Sequence, residues 1–251
     1  MTLGDLSREH VPMALAELHW ECAVGQQINI TIGPGPDDDS DDETAAQWVL
    51  DVIEGGGFTA ANPHVLAPWA GQTVTRRRSL PDVVGPGMRV LVCGLNPSEY
   101  AADTGVGFAR PGNRFWPAVA DVGLANSERD PRGALAEHGL GMTDLAKRAT
   151  PRSSELTKDE YRAGLARVER LTRWLMPAVV CFVGLEGYRA AADRKAGAGW
   201  IADGLGGRPL YLMPSTSGLN ARTTAADFRA HLETVIGASW TRSAPDKRAR
   251  R

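Results

Sequence analysis

Hydrophobic and polar positions follow two regimes along the chain, and the change comes near residue 76. Beyond it, short apolar runs alternate with longer amphipathic stretches. Met88–Leu95 reads MRVLVCGL and 178–183 reads AVVCFV. Continuous apolar runs of this length predict strands buried on both faces. Leu210–Met213 predicts a shorter third strand. Asn113 to Val122 fits a helix, with Asn113 as N-cap and Gly123 just past its end. Lys158 to Leu175 is strongly amphipathic and stops before Pro177. Further helices are expected from about Leu185 and over Thr224 to Ile236. Strands alternating with helices predict an α/β fold, a three-layer α/β/α sandwich around a mainly parallel sheet. Ligands of such sheets bind beyond the carboxyl ends of the strands. Two of those ends carry unusual residues: Gly94-Leu95-Asn96-Pro97-Ser98 and Pro214-Ser215-Thr216-Ser217-Gly218-Leu219-Asn220.

Residues 1–75 read less regularly. Leu6 to Val24 could form one amphipathic helix, limited upstream by Pro12, and Ala45 to Ile53 another, ended by Gly55-Gly56-Gly57. Between them Gly33-Pro34-Gly35-Pro36 breaks any element, and Asp37–Glu43 carries six acids in seven positions. Such a run is ordinarily solvated. The expected organisation is an irregular, poorly ordered acidic extension over 1–75, a catalytic-type domain over 76–236 and a basic tail over 237–251. An autoinhibitory or partner-binding role for the extension is the alternative to a bystander.

Charge sharpens this division. The chain has 251 residues and a net charge of −2. Residues 1–75 hold one basic residue, Arg8, against twelve acids; residues 76–251 hold 27 basic and 18 acidic residues, a net of +9. The near-neutral total therefore hides a basic body suited to a polyanion. No run approaches the roughly 18 apolar residues of a membrane span, and no secretory leader is evident, so a cytoplasmic, nucleoid-associated setting is expected. Three distant cysteines (22, 93 and 181) make neither a disulfide framework nor a four-thiolate centre. No histidine pair has metal-ligand spacing, so neither metal nor cofactor is expected.

Gly94–Ser98 is followed by a loop containing Phe108 and ending Arg110-Pro111-Gly112-Asn113-Arg114-Phe115-Trp116. It has no phosphate-cradling glycine pattern. These residues closely resemble the first motif of the mismatch-specific uracil-DNA and thymine-DNA glycosylases, with the same spacing from the asparagine to the loop aromatic. Gly141 to Thr150 resembles a second family segment. Met213 to Asn220 resembles the family's DNA-inserting loop. The resemblance covers about 76–236 and leaves residues 1–75 out.

What the resemblance implies is hydrolysis of the N-glycosidic bond of a mispaired uracil after the base is flipped from the duplex. Bond breaking puts positive charge on the sugar and negative charge on the leaving base. Asn96 would orient the attacking water. Asp144, where some relatives carry Lys or Asn, would activate the water or stabilise the cationic sugar. Phe108 would stack on the base, and backbone N–H groups near Leu95 and Phe108 would bind its carbonyls. Ala101 would lie near C5 of the base and leave room for a thymine methyl. Gly218, Leu219 and Asn220 would enter the duplex, Leu219 as the wedge. Ser215, Ser217, Ser153, Ser154 and Arg148 would meet DNA, with Arg110, Arg114, Arg152 and Arg222 as further sources of phosphate charge. Phe115 and Trp116 read as core. The expected partner is duplex DNA with G·U or G·T mismatches, bound by a monomer that leaves an abasic site. A non-catalytic mismatch-binding module and a nucleoside hydrolase stay open as alternatives.

Overall fold

The computed structural model describes residue 3 and residues 6–33, 42–62, 71–126 and 129–243. The poorly ordered extension expected over 1–75 is corrected at once: its described residues build a small α/β module. A 3-10 turn at Arg8–His10 leads into α1 (Val11–Glu21), whose start is fixed by Pro12 in the first turn. Then come β1 (Gln27–Thr31), α2 (Asp42–Gly55), β2 (Phe58–Ala60) and β3 (Gly71–Arg76). The strands pair antiparallel in the order β1-β3-β2. Leu15, Ile30, Ile32, Val49, Val52, Ile53, Phe58 and Val74 are buried together. These strands were hidden because β1 and β3 alternate single apolar residues with Gln, Asn and Thr, a weak period-two signal beside a loud acidic run. Of that run, residues 37–41 lie outside the described residues.

The larger body contains β4 (Val90–Gly94), α3 (Glu99–Thr104), α4 (Phe115–Asp121), α5 (Pro131–His138), β5 (Leu140–Asp144), α6 (Lys158–Leu175), β6 (Val179–Val183), α7 (Leu185–Ala191), β7 (Gly199–Leu205), β8 (Arg208–Met213) and α8 (Ala225–Ser243). The central sheet has the order β5-β4-β6-β8-β7, with the first four strands parallel and β7 antiparallel to β8. Alternate residues feed opposite layers. Val90, Val92, Val179, Cys181, Tyr211 and Met213 pack with Phe115, Trp116 and Val119 of α4 and with Phe228, Leu232 and Val235 of α8. On the other face Cys93, Val180, Phe182, Leu210 and Leu212 meet Tyr161 and Val168 of α6. This is the expected three-layer α/β/α sandwich. Among the described residues no helix is long and apolar enough to cross a membrane.

Helix α6 keeps its expected bounds, because Thr157 and Glu160 form a reciprocal capping box and Met176 closes it in the left-handed region. Helix α4 starts at Phe115 rather than Asn113, but Asn113 Oδ1 still accepts the Phe115 N–H at 3.0 Å. The basic tail expected from 237 is corrected. Helix α8 runs on to Ser243, with Ala238 against the core and Ser239 buried; residues 244–251 lie outside the described residues. The N-terminal module packs on α6: Trp48 meets Trp174 edge to face at 5.4 Å, and Arg170 pairs with Asp51 at 2.6 Å.

Candidate active site

Strands β4 and β5 run parallel, with Gly94 beside Asp144. Their ends therefore bring the first two motifs together. Two residues beyond β4, Asn96 is half-buried. Its Nδ2 donates to Thr150 Oγ1 (2.8 Å), to the Arg148 carbonyl (3.0 Å) and to the Pro97 carbonyl (3.1 Å). These acceptors fix which way the amide points. Oδ1 receives no donor from the described protein residues, so it is left to accept from a water. Asp144, the last residue of β5, is 9% exposed, and its carboxyl has no hydrogen-bonding side-chain or backbone partner among the described residues. A Cβ built on Gly94 would stand 2.3 Å from Asp144 Oδ1 and 3.3 Å from Phe108 Cζ. Only glycine leaves the carboxyl and the aromatic ring room beside the strand end.

Beneath Asp144 lies a buried polar network that the sequence reading missed. Asp82 Oδ1 accepts from Thr143 Oγ1 (2.6 Å) and Lys147 Nζ (2.8 Å), and its Oδ2 from Arg167 Nη1 (2.6 Å). Arg167 Nη2 also donates to Thr143 Oγ1 (3.0 Å) and to the Asp144 carbonyl (2.9 Å). All these side chains are buried. The two cations hold Asp82 ionised against the cost of burial. Asp144 has no such direct partner. Burial raises its carboxyl to about 6, against the pull of the Lys147 charge. One signal for this network was present in the sequence. Helical spacing puts Arg167 on the same face as Gly164, Val168 and Leu171, where an arginine must find a buried anion.

Phe108 sits at the mouth of the same site, on a small cavity it lines with Leu80, Gly107, Pro131, Met142 and Asp144. Its ring stacks on Phe115, with centroids 4.1 Å apart and planes 20° apart. Its φ is 57°, a conformation that costs a non-glycine residue about 1–3 kcal/mol and that surrounding contacts must enforce. Phe115 and Trp116 are core residues, as expected, and Trp116 Nε1 donates to the Gly107 carbonyl at 2.8 Å. Leu95 turns its side chain toward Gly187 of α7, and its carbonyl accepts from Ala146 N. Ala101 is buried in the first turn of α3, where Ser98 Oγ accepts its N–H, and it does not line the Phe108 cavity.

The loop expected to insert into DNA follows β8. Leu219 is 89% exposed, while its neighbours are tied down. Ser217 Oγ accepts from Leu219 N (3.3 Å) and Ser215 Oγ from Ser217 N (3.3 Å). Asn220 Nδ2 donates to the Ser215 carbonyl (2.8 Å) and to Thr223 Oγ1 (2.9 Å), so its amide shapes the loop. Gly218 approaches the Gly112 carbonyl, and a groove lined by Arg110, Pro111, Asn113, Ser217, Gly218 and Leu219 joins the wedge loop to the Phe108 loop. Two arginines are already engaged. Arg114 donates to the carbonyls of Thr223, Ser217 and Asn220 and braces the loop from inside. Arg148 is paired with Glu160 at 2.6 Å and bonds the Glu155 carbonyl. Ser153 Oγ reaches Glu186 at 3.3 Å, and Ser154 is exposed nearby. No group of three His, Cys, Asp or Glu that could hold a metal occurs among the described residues.

By fold and by placement of its polar groups, this is an α/β protein that gathers its candidate chemistry beyond the strand ends. The Uracil DNA glycosylase superfamily model matches residues 81–236, and the chain belongs to that superfamily. A solution structure of a candidate uracil DNA glycosylase from Methanosarcina acetivorans is 20% identical, with a TM-score of 0.47; the match covers 64% of this chain and 97% of that one.

Proposed function

We propose that this protein excises uracil mispaired with guanine, releasing the free base and leaving an abasic site. The observation that carries the reading is the pairing of a buried, partner-free carboxyl on Asp144 with the open Oδ1 of Asn96, at adjacent strand ends beside the Phe108 ring. The base leaves the stack and enters against Phe108. As the bond from C1′ to N1 opens, the sugar gains positive charge. Asn96 Oδ1 orients a water toward C1′, and the Asp144 carboxylate takes its proton or faces the cation. The departing base is an anion, and its stabilisation falls to backbone N–H groups near Leu95 and Phe108. Leu219 fills the gap left in the duplex. The reading extends to thymine in G·T, released more slowly than uracil in G·U. The enzyme acts as a monomer.

The test compares free-base release from a G·U duplex, from single-stranded uracil DNA and from deoxyuridine. Fast release from the duplex and an inert nucleoside are expected. Release from deoxyuridine alone would make it a nucleoside hydrolase, and tight mismatch binding without release would make it a binding module.

A further inference from the structure

Two indoles from different parts of the chain hold the backbone that leads into Phe108. Trp116 of α4 holds the Gly107 carbonyl, immediately before it. Two residues further back, Trp20 of α1 donates from Nε1 to the Gly105 carbonyl at 3.1 Å. Gly105, at φ 71°, closes α3 three residues before Phe108. A Cβ there would lie 3.0 Å from the Trp20 ring, so the indole rests against bare backbone. Its ring also receives the Arg132 guanidinium, 3.8 Å from the centroid. Arg132 is fixed by a two-pronged pair with Glu17 of the same helix, at 2.6 and 2.7 Å. Arg132 follows Pro131, which lines the Phe108 cavity. Met13 and Trp20 pack against the core that also holds Val106 and Phe108. Trp20 lies outside the segment that matches the superfamily.

Two further bonds tie the module to the polar network. His19 Nε2 meets the Ser79 carbonyl at 3.1 Å, and Ser79 Oγ donates to the Lys147 carbonyl at 2.5 Å. The Gly55 carbonyl accepts Asp82 N at 2.7 Å. The module therefore touches both the Phe108 loop and the support of Asp144.

We infer that Trp20 is a positioning residue for the base-binding loop, and that the N-terminal module is part of how the site is built. A left-handed Phe persists only where its neighbours over-determine it; the indole N–H groups of Trp20 and Trp116 pin the Gly105 and Gly107 carbonyls in the stretch that leads into it. The inference rests on Phe108 being the base platform. Its test is therefore given one arm that does not need activity.

In the full chain, Trp20→Phe keeps a ring for Arg132 and removes the N–H donor together with part of the indole. A net hydrogen bond of ordinary strength corresponds to about five-fold in an equilibrium. Amide exchange at 105–108 should quicken by about that factor, with exchange elsewhere unchanged. The inhibition constant for free uracil should rise, and kcat/KM for the G·U duplex should fall, by a similar factor; affinity for undamaged DNA should hold. Trp20→Ala should enlarge each effect. Unchanged exchange at 105–108 in both variants would overturn the inference, as would faster exchange spread over the whole chain with a lowered Tm. A wild-type protein that releases no uracil would refute the functional reading, while the exchange arm would still judge the clamp.

Discussion

Replacing Asp144 by asparagine separates what this carboxyl contributes to chemistry from what it costs the fold. Burial raises it to about 6, whereas an unfolded chain would titrate it near the ordinary ~3.9. Between those values the folded protein binds the proton more tightly than the unfolded one. The stabilising contribution is therefore complete below about pH 4 and is lost as pH rises through 6. Two pH units correspond to about 3 kcal/mol of destabilisation at pH 8. Asp144→Asn carries no charge and escapes that cost. Urea unfolding should show it more stable than wild type by up to about 3 kcal/mol at pH 8 and nearly equal at pH 4. The same variant should lose about a hundred-fold or more in single-turnover uracil release. The wild-type rate should climb as pH passes about 6, and the variant's residual rate should lack that step. A variant no more stable at pH 8, or one retaining near-normal turnover, would refute this account of the site.

Three other outcomes follow from the geometry. Gly94→Ala places a methyl 2.3 Å from Asp144 Oδ1; displacing the carboxyl by about 1 Å should lower kcat by about a hundred-fold, and a normal kcat would show that the carboxyl is not in the reaction. Leu219→Ala should lower kcat/KM on duplex DNA by about ten-fold or more while leaving release from single strands unchanged, because only the duplex needs its gap filled at a few kcal/mol; equal losses on both substrates would remove the wedge role. Asp82→Ala strands two buried cations and should destabilise the fold by about 3–5 kcal/mol in urea unfolding; a loss below about 1 kcal/mol would mean that Arg167 and Lys147 find other partners.

How much was legible depended on how each element announces itself. Buried strands such as β4 and β6 and the long amphipathic α6 are written in strong local periodicity, and their positions follow from it. Strand β5 is not, since Gly141, Thr143 and Asp144 interrupt its apolar pattern; it is a strand because β4 lies beside it. The N-terminal module was misread for a related reason: composition reported its surface charge, while its core depends on pairing between residues 27–31 and 71–76, far apart in sequence. Asn96, Asp144 and Leu219 were singled out by motif resemblance, and the structure puts the first two at neighbouring strand ends and the third on an exposed loop. Asp82 was not, since a lone aspartate before Val83-Val84 reveals no partner, and its meaning comes from Arg167, 85 residues away. Arg114 and Arg148 show the converse: as sequence they look free for phosphate, and in the structure loop carbonyls and Glu160 hold them.

The borders of the central sheet have a practical consequence. On one side β5 is bridged antiparallel by Val83, through Val83 N to the Met142 carbonyl (2.9 Å) and Met142 N to the Val83 carbonyl (2.8 Å). On the other, β7 breaks register between Ile201 and Leu205. An open, flat border invites a strand from another molecule; here one border is bridged and the other is bent. The strand that bears Asp144 is thereby guarded against pairing with another copy, although Leu219 stands exposed elsewhere on the surface, and crowding or long storage should leave that strand unpaired with other copies.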